Sequence, residues 1–142
     1  MSGSKAEVCA RFSQNKWHDS RIVELHLVKE SEGRYDLLLD LNLITGYSEG
    51  KYEWARKTGR FANCRIIRSD LDILGMLLCG GAIGEASCYP DAIQFERKHR
   101  DRAHEFDLPD EHNELEGCVA FHFEMIHPGG ELIVIARDFQ LI

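Results

Sequence analysis

The sequence predicts a mainly β protein: a single-domain antiparallel sheet or sandwich of about seven or eight strands with one or two short helices, for which α+β is the looser description. Three observations predict it. Apolar and polar residues alternate in several runs, most cleanly at Tyr35, Leu37, Leu39, Leu41 and Leu43. Glycine-bearing turns separate those runs, as in "ESEG" at 30–33 and "HPGGE" at 127–131. Helical periodicity is thin everywhere. No linker or internal repeat divides the 142 residues, so one domain spans 1–142.

In chain order, residues 1–5 read as a loose terminus and 6–15 as a short helix. Residues 21–29 alternate, with Val23, Leu25 and Leu27 on one face and Glu24, His26 and Val28 on the other. With 34–44 they form a hairpin whose turn carries Gly33. Residues 51–55 and 60–68 read as two strands separated by "RKTG". The apolar segment 70–89 holds four glycines, each costing a helix about 1 kcal/mol relative to Ala. Two strands, 71–78 and 82–88, joined near Gly80–Gly81, are therefore expected. Pro90 suits the start of a helix over 91–104. Residues 105–116 read as an exposed acidic loop. The segments 117–126 and 132–141 alternate around "HPGGE" and form a closing hairpin.

The formal net charge is −7, which opposes nonspecific nucleic-acid binding, since that needs a surplus of Lys and Arg. No apolar run approaches the roughly 18 residues of a membrane span, and the start of the chain lacks the apolar core of a secretory signal. The five cysteines are odd in number and show no CxxC spacing. A cytoplasmic protein whose thiols pack as small apolar groups is the expectation.

His18 and Asp19 suggest a catalytic pair, but neighbours on a strand point to opposite faces. The pattern instead predicts a strand-entry turn, with Trp17 as packing anchor and Asp19 or Ser20 bonding backbone amides. His26, His122 and Glu124 have the donor types of a zinc or iron site, though nothing in the sequence fixes their strands as neighbours. Asp107, Asp110, Glu111 and Glu114 concentrate negative charge that would steer a basic partner. The chain contains neither GxSxG nor a phosphate-loop signature, which points away from an enzyme. No cofactor is implied.

The runs "WHDSRIVELHLV…YDLLLDLNL" and "FHFEMIHPGGELIVIARDFQL" resemble the opening and closing strands of small bacterial domains, some of them immunity proteins of polymorphic toxin systems. The resemblance covers 17–43 and 117–141. It implies a β-rich fold and, for part of that group, tight binding to a toxin. The expectation is thus a non-enzymatic binding module, immunity-like in occluding a toxin, whose partner has a basic surface. The alternative is a small-molecule or metal-binding domain using polar residues around His18 and His122. Self-association through an edge strand would give a homo-oligomer.

Overall fold

Six antiparallel strands form one sheet in the computed structural model, which describes residues 4–99, 115–126 and 129–142. They are β1 (Lys16–Ser31), β2 (Arg34–Ser48), β3 (Lys51–Ser69), β4 (Ile83–Tyr89), β5 (Val119–Met125) and β6 (Glu131–Leu141). Their spatial order is β1-β2-β3-β6-β5-β4, so the last strand lies in the middle of the sheet. Three helices accompany it among the described residues: α1 (Lys5–Ser13), α2 (Ile73–Leu78) and α3 (Ala92–His99).

The mainly β expectation holds, but the strands are fewer and longer. β3 runs unbroken through "RKTG" because Gly59 is a packing glycine. A Cβ there would lie 3.2 Å from the Phe139 ring and 3.3 Å from Leu41 Cδ1. Residues 73–78 are helical rather than extended. The Asp72 side chain accepts from Gly75 N at 3.0 Å, an N-cap that offsets the glycine cost. Gly80 and Gly81, with φ of 95° and 64°, then turn the chain into β4. Ser4 caps α1 by accepting from Glu7 N, so Ser4 and Lys5 belong to the helix rather than to a loose terminus. Asp91 accepts from Gln94 N at 3.0 Å at the start of α3; the 100–104 part of that expected helix lies outside the described residues.

No second sheet makes a sandwich with the first among the described residues; helices cover both faces. On one face, α1 inserts Val8 and Phe12 among Trp17, Phe61, Phe121, Phe123 and Phe139. On the other, Ala92 and Phe95 of α3 cover Ala120, Ile133 and Ile135. β5 and β6 are therefore buried on both faces, and the small alternating residues Cys118 and Ala120 face α3 rather than water. The sheet curls until its edges meet: Ile22 N donates to Gly81 O at 2.8 Å, and Arg21 bridges to Ala82.

Cys9 of α1 and Cys88 of β4 form a disulfide, with Cα atoms 5.3 Å apart. This corrects the expectation that every cysteine is a thiol. The two are 79 residues apart in sequence, and only the docking of α1 beside β4 brings them together. Cys64 and Cys118 are buried thiols, as expected, whereas Cys79 is exposed.

Candidate functional site

The candidate site occupies the outer face of β1, β2 and β3, opposite the aromatic core. A bulge in β1 creates it. Ile22 pairs with Leu41 but Glu24 pairs with Asp40, so Val23 is an extra residue. The bulge keeps Ile22 and Leu25 both facing the core and turns Glu24 and His26 outward above Asp40. His26 Nε2 lies 3.1 Å from Glu24 Oε2 and 3.2 Å from Asp40 Oδ2. Thr58 Oγ1 donates to the other oxygen of Asp40 at 3.1 Å and fixes that carboxylate.

Along the same face lies an exposed aromatic row at the tip of the β2–β3 hairpin. Tyr47 pairs with Tyr52 across the strands, and Trp54 follows two residues on. Tyr47, Tyr52 and Trp54 are 67%, 47% and 40% exposed. Their ring centroids are 5.6 and 6.0 Å apart, in edge-to-face contact. Arg56 continues the row, and it lines a shallow cleft with Asp40, Lys57 and Thr58.

Asp36 sits further along β2 on this face and is fully buried beneath its partners. Burial acts to raise its pKa. The Asn63 amide at 2.8 Å, the Arg60 guanidinium at 2.7 and 2.9 Å, and the Arg34 charge outweigh that and hold the carboxyl below its ordinary value.

The residues singled out from the sequence fall in separate places. A second bulge, between Lys16 and Arg21, gives Asp19 a φ of 67°. His18 Nε2 therefore approaches Asp19 Oδ2 to 3.6 Å, and the expectation of opposite faces does not hold for this pair. The pair is not buried: His18 is exposed, and its Nδ1–H donates to Gly84 O at 2.6 Å across the seam between β1 and β4. Ser20 does hold a backbone amide, but across the strands rather than within a local turn: it accepts from Ile44 N of β2 at 3.0 Å while donating to Lys16 O. Trp17 is buried and donates from Nε1 to Phe12 O.

β1 and β5 are not neighbours, so His26 does not join His122 and Glu124. His122 is buried beside α3, its Nε2 2.6 Å from Glu131 Oε2 and its ring 5.8 Å from Phe95. Glu124 is exposed and stands in register between Glu85 and Glu131. Asp107, Asp110, Glu111 and Glu114 lie outside the described residues. Glu96 of α3 is buried and forked onto Arg68 at 2.6 and 3.2 Å.

Sequence reasoning missed Glu24 and Asp40 as partners of His26. Counting back from the two-residue turn between Ser31 and Arg34 would set Glu24 against Leu41; a register shift between Lys29 and Ser31 moves it to Asp40, and the sequence carries no signal for that shift. It also missed the aromatic row, because "KYEWA" reads as an ordinary strand.

No family model, curated protein or solved structure shows a significant match to the chain. Among the described residues, no helix is long and apolar enough to cross a membrane.

Proposed function

We propose that the chain is a non-enzymatic protein-binding module that docks a basic partner on the outer face of β1–β3. The observation that carries this reading is the exposed row Tyr47–Tyr52–Trp54. Tyr, Trp and Arg are enriched where protein interfaces bind most tightly. Exposed aromatic faces also attract Lys and Arg side chains by cation–π contact. Glu24 and Asp40 lie on the same face, and the net charge of −7 steers a positively charged partner toward the molecule. The specific form of the reading is an immunity-like protein that occludes a toxin. The resemblance of 17–43 and 117–141 supports it.

The test expresses the product of the gene next to this one, with and without the chain. Wild type relieves growth arrest and binds that product in calorimetry. Tyr52→Ala/Trp54→Ala melts as wild type does but loses about 2 kcal/mol or more of binding, the range of interface anchors, and no longer protects. A neighbouring product that is harmless and unbound removes the immunity form. A double variant that binds as tightly as wild type removes the docking face.

A further inference from the structure

The geometry points to a metal site within this face: Glu24, His26 and Asp40 form a three-ligand site for a divalent transition ion of the zinc class. The donors come from two strands and comprise one imidazole nitrogen and two carboxylate oxygens, all lying within 4.8 Å of one another. A mixed nitrogen and oxygen set suits zinc and its neighbours, whereas calcium and magnesium take oxygen alone.

The distances carry the argument further. Bonds of about 2.0–2.2 Å to one ion place adjacent donors about 3.0–3.5 Å apart in tetrahedral or octahedral geometry. His26 Nε2 stands 3.1 Å from Glu24 Oε2 and 3.2 Å from Asp40 Oδ2. A single Nε2–H aims at one acceptor and cannot serve both carboxylates well. An ion placed among the three atoms serves all of them. Thr58 holds the far oxygen of Asp40, as outer partners of metal-binding carboxylates do, and leaves Oδ2 directed at His26. Two of the ligands are at least half exposed or nearly so, which leaves coordination positions open to water or to a partner's side chain.

Glu24 and His26 are on this face, above Asp40, only because Val23 is bulged out. In a regular ladder Glu24 would oppose Leu39, which faces the core. The bulge is thus what brings the three donors into one place. Glu24 and Asp40 enter the docking reading as well, but Tyr52 and Trp54, on which its test rests, are not ligands here, so failure of the one is distinguishable from failure of the other.

The experiment titrates chelator-stripped full-length protein with zinc chloride by calorimetry and follows the His26 ring signals by NMR. One zinc is expected to bind with those signals shifting, and calcium chloride is expected to give no heat. His26→Gln and Asp40→Asn are each expected to weaken the binding at least tenfold, while His18→Gln leaves it unchanged. His26 is exposed, so unaltered melting of the metal-free variants shows that the fold is intact. Zinc binding that survives His26→Gln places the ion elsewhere and overturns the proposal. Failure of wild type to bind zinc reduces the cluster to a histidine hydrogen-bonded to a carboxylate and overturns it as well.

Discussion

Asp36 shows how one residue can be polar, buried and stabilising. Its two oxygens meet the Asn63 amide and the Arg60 fork, and Asn63 takes a left-handed φ of 54° to reach it. Asparagine tolerates that conformation better than most residues. The folded carboxyl is held below 3.8, its ordinary value. Its contribution is therefore complete at pH values above that ordinary value and is lost as the pH falls through the depressed one. Asp36→Asn is expected to cost about 1–3 kcal/mol at neutral pH, the range for leaving buried partners unsatisfied. In urea unfolding at stepped pH, the gap between variant and wild type should narrow under acid conditions. A gap that is constant with pH would contradict this account. Cys64 makes the opposite point. Burial pushes its thiol up to about 12, so this cysteine packs as an apolar group and is a poor nucleophile.

At the scale of the element, α1 is a short helix whose position depends on what holds it. The Cys9–Cys88 disulfide ties it to β4, and Arg11 pairs with Asp138 of β6. Cys88→Ser is expected to lower stability by about 2–4 kcal/mol, because the bond closes a long loop in the unfolded chain. Denaturation with and without reductant checks this: wild type should move toward the variant when reduced, and the variant should not respond. The hairpin of β1 and β2 was legible in the sequence because one of its faces is packed and the other wet, which imposes clean alternation. β5 was legible as a strand too, but not as one buried on both faces, since Cys118 and Ala120 are small enough to pass for surface. Segment 73–78 was misread because its glycine count outweighed the single Asp72 cap. At the candidate site, His26 could be picked out by type. Its partners depended on a bulge, and a bulge has no residue signature in "RIVELH".

For the whole molecule, the curled sheet closes around one aromatic ring. Phe12 lies 4.6 Å from Trp17, 5.0 Å from Phe121, 5.2 Å from Phe139 and 5.6 Å from Phe123, ring centre to ring centre. These rings belong to β1, near the start of the chain, and to β5 and β6, near its end, so the helix residue joins the two halves of the sheet. Phe12→Ala is expected to cost about 3–5 kcal/mol, through lost burial and the cavity left behind. Thermal unfolding should stay a single transition at a lower midpoint. If near-ultraviolet circular dichroism survives with the midpoint unchanged, Phe12 is not the hub.

The seam at Ile22–Gly81 also bears on how the molecule avoids its own copies. A sheet ends in two rows of unpaired amides and carbonyls, each able to template a foreign strand and seed aggregation. Near the seam the two rows spend part of that capacity on each other. The contact admits no side chain at Gly81, where a Cβ would lie 2.0 Å from the Ile22 carbonyl oxygen. Further along, β1 carries Glu24, Lys29 and Glu30, charges that discourage an incoming strand from docking. The glycine that lets the sheet close thereby also shortens the border that has to be defended.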